Sequence, residues 1–548
     1  MKRGLLIGMG LVLVGGVVTP AVTPMGAYPA AAVTSSALPF DFDGDGYADM
    51  AVGVPGEDIG SIRGAGAAQV LYGSSSGPTA RDQFWHQNKK GIKGGAEPGD
   101  GFGSSIASGD FDADGYADLA VGIPREDLGG QVDTGALQVL YGAPGGLTAR
   151  DQLWHQDRAG VPGKNEAGDL FGYSMQVGDF QGDGYADLAI NVPGKRFDGI
   201  DRSARSGVIV VLNGSAGGLT AAGAQSWSPW NPATAGPEQG IVSGPMGFAV
   251  GQFTGDSRDD LAILAHDGTY VEPRQVGAFL LVLAGSADGL TASNVQSVPL
   301  GDTGVEVAGN VDGTQYLFTM GSSGDFDGNG LDDLSLLSRD SDSAQARTLV
   351  VLYAAADGFT AAAAQLWHLH AGVPTVVDTA ESYDPALHCT QFATAWFGMT
   401  NGLAAGDLTG DGVADLAVPA EATYDMHSDP VCSPVLVDGQ VHLLLGSASG
   451  LTATSSVLTQ DTEGVPGATE RGDLFGLSSM RILANRDGGA WLAIRARDEA
   501  LGRITGAGSV TVVPGSAQGW VPTSSRAWHQ NKPGIKGAAE KHDAFGQL

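Results

Sequence analysis

From about residue 40 onward the chain is a succession of short apolar runs, four to seven residues long, cut by glycine-rich polar breaks. Val, Ile, Leu and Ala dominate the runs, and none continues with the three-to-four-residue spacing of an amphipathic helix. One block shows the set. Phe102 to Phe111 (FGSSIASGDF) predicts a first strand, A, and an acidic phrase follows as a tight loop. Asp118 to Pro124 (DLAVGIP) predicts strand B, Ala136 to Gly142 (ALQVLYG) strand C, and Leu147 to Gln156 (LTARDQLWHQ) strand D after an Ala-Pro-Gly-Gly turn.

The block repeats. DFDGDGYAD at Asp41–Asp49 returns as DFDADGYAD at Asp110–Asp118 and DFQGDGYAD at Asp179–Asp187. Looser copies are QFTGDSRDD at Gln252–Asp260, DFDGNGLDD at Asp325–Asp333 and DLTGDGVAD at Asp407–Asp415. The starts lie 69, 69, 73, 73 and 82 residues apart. A seventh copy keeps Phe475-Gly476 and the strand-like Trp491–Ile494 but has lost the acidic loop. Four strands per unit, seven times over, predict an all-β fold: a seven-bladed β-propeller of four-stranded antiparallel blades. The ends fit a closed ring. Trp528 to Gly537 copies Trp85 to Gly94, runs on to Phe545-Gly546, and stops where the next acidic loop, the one at Asp41, would begin.

These residues resemble the FG-GAP repeats of integrin α-subunit propellers and their bacterial relatives. The motifs are Phe102-Gly103, Asp110–Asp118 and Val121-Gly122-Ile123-Pro124, then Phe171-Gly172, Asp179–Asp187 and Asn191-Val192-Pro193. The resemblance runs over roughly Val33 to Leu548 and is loosest in the fourth, fifth and seventh blades. It implies a propeller with calcium in some A–B loops and leaves the ligand open.

The loop chemistry stands without the resemblance. Calcium takes six to eight hard oxygens in flexible geometry. In the first loop Asp41, Asp43, Asp45 and Asp49 place carboxylates at positions 1, 3, 5 and 9, with the Tyr47 carbonyl available at position 7. The second loop matches it with Asp110, Asp112, Asp114, Tyr116 and Asp118. The third has Asp179, Gln181, Asp183, Tyr185 and Asp187; the fifth Asp325, Asp327, Asn329, Leu331 and Asp333; the sixth Asp407, Thr409, Asp411, Val413 and Asp415. The fourth has Gln252 and Thr254 where acids belong and is not expected to bind. Position 12 of the first loop is Val52 rather than Glu, and the flanks are strands, which excludes an EF-hand.

Charge and composition narrow the class. The chain has 29 Lys+Arg against 61 Asp+Glu, a formal −32, which speaks against nucleic acid. Lys2 and Arg3 followed by the apolar run Leu5 to Val18 predict an export signal over residues 1–32, leaving a single propeller over 33–548. Export permits a bridge between the two cysteines, Cys389 and Cys432.

Other motifs dissolve into the repeat. Arg471-Gly472-Asp473 fills the slot held by Glu97-Pro98-Gly99-Asp100 and Glu166-Ala167-Gly168-Asp169, so it does not mark an adhesive tripeptide. Gly73-Ser74-Ser75-Ser76-Gly77 lies in a C–D turn with no helix after it, unlike a nucleophile elbow. The Trp-His pairs at Trp85, Trp154, Trp367 and Trp528 read as blade packing, and no histidines have zinc-ligand spacing. Six B–C and D–A loops of the seventh and first three blades hold 14 basic and 14 acidic residues, while the rest of the chain holds 15 and 47. That face is expected to meet a partner, with Lys89, Lys93, Lys532 and Lys536 foremost.

The expectation is a secreted or cell-surface monomer that binds calcium and an extracellular protein or polysaccharide without catalysis, as an adhesion module. The alternatives are a hydrolase or hydrolase accessory, like the propeller of glycosylphosphatidylinositol-specific phospholipase D, and a purely structural scaffold.

Overall fold

A computed structural model describes residues 37–196, 207–228, 247–266, 278–303, 316–340, 346–356, 358–370, 373–377, 395–397, 402–422, 439–470 and 472–548. They form seven four-stranded antiparallel blades arranged as a β-propeller. Blade 2 is typical: Ser105–Gly109, Asp118–Ile123, Ala136–Leu140 and Asp151–Trp154 pair in sequence order from the axis outward. Every residue of its first three strands is buried, and the outer strand is mostly half-buried. Blades face blades, so the strands bury both faces and read as apolar runs instead of alternating cleanly.

The inner strands of blades 2 to 7 are Ser105–Gly109, Met175–Gly178, Gly247–Gly251, Tyr316–Gly324, Ala404–Gly406 and Met480–Ala484, each packed against the next. Blade 1 has only Met50–Val54, Ala67–Leu71 and Asp82–Trp85 as named strands. Its inner position is taken by the last residues of the chain. Gln547 pairs antiparallel with Gly53, the Gly53 N–H donating to the Gln547 carbonyl at 2.7 Å. Phe545 docks on the B–C loop of blade 7 (Phe545 N to Ala507 O, 3.0 Å) as Phe102 docks on that of blade 1 and Phe171 on that of blade 2. The ring is therefore closed across the chain's two ends, as the copied Trp528–Gly537 segment predicts.

The Phe-Gly pair has a physical reason. Phe102, Phe171, Phe475 and Phe545 are at most 1% exposed. The glycine after Phe102 has φ +91, and a Cβ on Gly53 would stand 1.9 Å from its carbonyl oxygen. Only two glycines let neighbouring blades approach this closely at the axis.

Two expectations shift. The strands are shorter than read: strand A of blade 2 is Ser105–Gly109 because Phe102 and Gly103 leave the ladder to meet the neighbouring blade, and strand D begins at Asp151 because Leu147 bonds to Tyr72 of blade 1. Blades 5 and 6 also gain strands from the insertion between them. Val373–Val377 adds to the edge of Gln365–His370, and Ala395–Phe397 pairs with Asp415–Ala422 and Ala346.

The inner strands surround a channel of about 1230 Å³. The A–B loops lie on one face of the ring; the B–C and D–A connections lie on the other.

Candidate functional site

The A–B loops are organised by their first and ninth aspartates. Asp41 accepts from the Asp45 N–H at 3.0 Å and the Gly46 N–H at 2.9 Å, curling the loop around its own side chain. Asp110, Asp179, Asp325 and Asp407 repeat these contacts. The glycine at position 4 permits the turn: Gly44 has φ +73, and a Cβ there would meet the Tyr116 ring of the next blade at 2.7 Å. The position-7 tyrosine thus covers its neighbour's loop.

Asp49, Asp118, Asp187, Asp260, Asp333 and Asp415 are all fully buried at position 9. One oxygen takes the N–H of position 2 and the other takes the N–H that opens the C–D turn; for Asp118 these are Phe111 at 2.9 Å and Gly142 at 2.9 Å. Blade 4, which lacks the acids at positions 1 and 3, keeps the same pair at Asp260 through Phe253 and Gly285. The ninth aspartate is therefore a staple between two turns. Burial pushes Asp49 and Asp118 up to about 8, and Asp187 and Asp333 to about 7.

Three loops bring carboxylates together. Ligand oxygens of Asp41, Asp43 and Asp45, of Asp110, Asp112 and Asp118, and of Asp325, Asp327 and Asp333 each lie within 4.8 Å of one another. That is the spread one ion with bonds of about 2.4 Å bridges. In the first two the third-position aspartate is oriented from outside. Arg81 bonds one oxygen of Asp43 and Arg150 one oxygen of Asp112. The other oxygens, Asp43 Oδ1 and Asp112 Oδ1, are buried with no partner, on side chains 6% and 4% exposed. A buried anionic oxygen with no donor is costly unless a cation meets it, so these residues fit a divalent ion. Loops 3 and 6 form no such trio among the described residues; Gln181 and Thr409 replace the third acid. In loop 4 the Arg258 guanidinium pairs with Asp256 at 3.2 Å and bonds the Gln181 carbonyl, so a fixed cation already stands there.

The four lysines of the opposite face are engaged. Lys93 pairs with Asp151 at 2.6 Å and Lys536 with Asp82 at 2.7 Å, each across a blade junction. Lys89 lies 3.8 Å over the Trp85 ring and Lys532 4.6 Å over Trp528. Trp85, Trp154, Trp367 and Trp528 are buried, and His86, His155 and His529 are half-buried beside them. Asp473 is buried and accepts the Glu470 N–H at 2.9 Å. Ser74 to Gly77 is a plain turn. Cys389, Cys432, Arg471 and the segment 1–32 expected to be a leader lie outside the described residues.

Sequence reading missed a set of junction clasps. Gln87, Gln460 and Gln530, at the ends of D strands, donate to Glu126, Glu499 and Glu57 in the B–C loops of the next blade. At the junction of blades 2 and 3 a lysine takes the glutamate's place, and Lys195 pairs with Asp169 at 3.1 Å. For Gln87 with Glu126 and Gln530 with Glu57 the recurring Trp-His-Gln and Pro-x-Glu phrases carried the signal, but nothing local joins them. It also missed Arg481, the one arginine of an inner strand, which lines the channel.

The FG-GAP repeat family matches residues 32–71, 102–140 and 171–212. Phosphatidylinositol-glycan-specific phospholipase D of Mus musculus is 33% identical over 153 residues, which are 28% of this chain and 17% of that protein. Integrin alpha-5 of Xenopus laevis is 40% identical over 95 residues, 17% of this chain and 8% of that one. The chain thus spans a small part of the length of these curated relatives. A rhamnogalacturonan lyase of Bacillus licheniformis superimposes over 83% of this chain and 65% of its own, at 14% identity and a TM-score of 0.31. No helix among the described residues is long and apolar enough to cross a membrane. The chain thus carries FG-GAP repeats on three consecutive blades of a closed seven-bladed β-propeller.

Proposed function

We propose that this propeller is an exported, calcium-stabilised binding module that acts without catalysis at or outside the cell surface. The observation that carries the calcium reading is the pair of buried, partnerless oxygens on Asp43 and Asp112, each within a trio of carboxylates. All-oxygen donors on a flexible loop suit calcium over a softer ion. Loops 1, 2 and 5 are the main sites, and loops 3 and 6 are weaker ones. An extracellular protein or polysaccharide docks on the face of the B–C and D–A connections, whose lysines are held in place by Asp82 and Asp151. The leader over 1–32 and a Cys389–Cys432 bridge belong to the same extracellular reading.

Thermal melts of the purified protein in millimolar calcium and in excess chelator test the calcium reading. Extracellular sites bind at ~10⁻⁴–10⁻³ M, and each site at about tenfold saturation adds roughly 1.4 kcal/mol. Melting is expected to rise with calcium, and equal midpoints in both buffers would refute the reading. The similarity to a phospholipase D favours one second reading, a hydrolase accessory. Turnover in a phosphodiesterase and glycosidase panel would replace the non-catalytic role.

A further inference from the structure

In a chain of formal charge −32, the axial channel is lined by no Asp or Glu side chain among the described residues. It carries arginine instead. Arg481, on the inner strand Met480–Ala484, lies 4.3 Å over the Phe40 ring and sends one N–H to the Ile106 carbonyl at 3.4 Å. Among the described residues no Asp or Glu pairs with it, and burial pushes its guanidinium down to about 10. Arg125, Arg497 and His542 stand around the mouth that opens between the B–C and D–A connections. Of these, Arg497 has only Asp498 within reach, at 4.0 Å.

The rest of the wall mixes apolar side chains, such as Ile106, Met175, Phe248 and Met320, with uncharged polar ones. Asn191 of blade 3, across the ring from Arg481, is 5% exposed, and its Oδ1 has no donor. Its amide N–H bonds Ser174 at 3.2 Å. The hydroxyls of Ser105 and Ser322 donate to backbone carbonyls, which leaves their lone pairs to accept, while Ser479 both donates to the Leu548 carbonyl and accepts its N–H. At the mouth the Tyr173 side chain is 54% exposed, one of two large apolar residues left open among the described residues. The channel therefore offers an unpaired cation, several acceptors without donors, and an aromatic face.

We propose that the channel is a binding site for a small hydroxyl-rich carboxylate, an acidic sugar, with its carboxylate on Arg481 and its hydroxyls donating to Asn191 Oδ1 and the wall serines. A fatty acid would leave these acceptors unmet. A phosphate dianion calls for more than one guanidinium at a point, and the inner wall supplies one. The site is independent of the calcium loops, which lie at the other face.

The test is calorimetric titration of the full chain with glucuronate, glucose, acetate and inorganic phosphate, in saturating calcium so that the loops stay filled. Glucuronate is expected to bind at least about tenfold more tightly than each of the others, and more weakly as salt rises. Arg481→Gln should remove about tenfold of that affinity and Arg481→Lys less. Asn191→Asp, which sets an anion across the channel, should weaken glucuronate and spare glucose. Thermal melts confirm that each variant is folded. Equal binding of glucuronate and glucose, an unchanged affinity in both Arg481→Gln and Asn191→Asp, or tighter binding of phosphate or acetate would overturn the proposal.

Discussion

Asp112 and Asp260 sit in equivalent loops and do different work. Asp260 holds the Phe253 and Gly285 N–H groups in a fully buried site of a blade whose loop has Arg258 in place of a metal. Asp112 offers its loop one buried oxygen with no partner. Asp260→Ala removes the acceptor of the Phe253, Thr254 and Gly285 N–H groups and is expected to cost ~1–3 kcal/mol for each left unpaired, equally with and without calcium. Asp112→Ala should cost about 1.4 kcal/mol at tenfold calcium saturation and almost nothing in chelator, where losing one of three crowded carboxylates also relieves repulsion. Chemical denaturation of both variants in both buffers separates the two roles. The spacing of the acids was legible because ligand positions follow one another along nine residues. The staple was not, because its second partner lies 24 residues away for Asp49 and Asp118 and comes from the backbone, which sequence does not mark.

At the scale of the element, strands and loops could be read from the chain, whereas the clasps between blades could not: Gln87 and Glu126 are 39 residues apart, and Gln530 and Glu57 are 473 apart. The clasps also titrate. Burial pushes Glu57, Glu126 and Glu499 up to about 7, against the partial relief given by their glutamine partners. Asp100 and Asp543 beside them rise to about 6 for the same reason. A carboxyl whose folded value is raised supports the fold below its unfolded value and loses that support as pH climbs through the folded one. With calcium held saturating, melting temperature is therefore expected to fall between about pH 4.5 and about pH 7. The triple variant Glu57→Gln, Glu126→Gln, Glu499→Gln keeps the bonds without the charge and should flatten that slope. An unchanged slope in the variant would show that other groups set it.

Over the whole molecule, closure rests on a few residues. Phe545 is fully buried in the position that Phe102 and Phe171 hold in their own blades, and Gln547 completes blade 1 through Gly53. Phe545→Ala is expected to cost ~3–5 kcal/mol, as for other large core truncations. Because it also loosens the ring's seam, a lowered denaturant m-value should accompany the loss. A variant with unchanged melting would show that the seam is held elsewhere. This closure was legible, since the copied Trp528–Gly537 segment ends one motif short of a full repeat. The channel's charge was not. Six inner strands and the last residues of the chain, distant in sequence, build that wall, and the one arginine of those strands looks ordinary until they meet.

The contacts between neighbouring blades form two hoops. On the acidic-loop face, position 8 of one loop donates to the position-1 carbonyl of the loop before it, from Ala117 to Asp41 through Ala414 to Asp325, and Asn485 joins blade 7 to blade 1. The second hoop, on the other face, is partial. Its glutamine–glutamate and lysine–aspartate clasps join blades 6, 7, 1, 2 and 3, and none joins blades 3 through 6 among the described residues. The junctions from blade 7 through blades 1 and 2 to blade 3 are bound at both rims, and the others at one among the described residues. Opening of the native state should then have a direction: amide protons of strands Phe279–Leu283 and Leu349–Leu352 should exchange with deuterium before those of Ala67–Leu71 and Ala136–Leu140, all four being buried alike. Removing calcium should widen that gap in time, because blades 3 through 6, bound at one rim, then depend on a single row of backbone bonds.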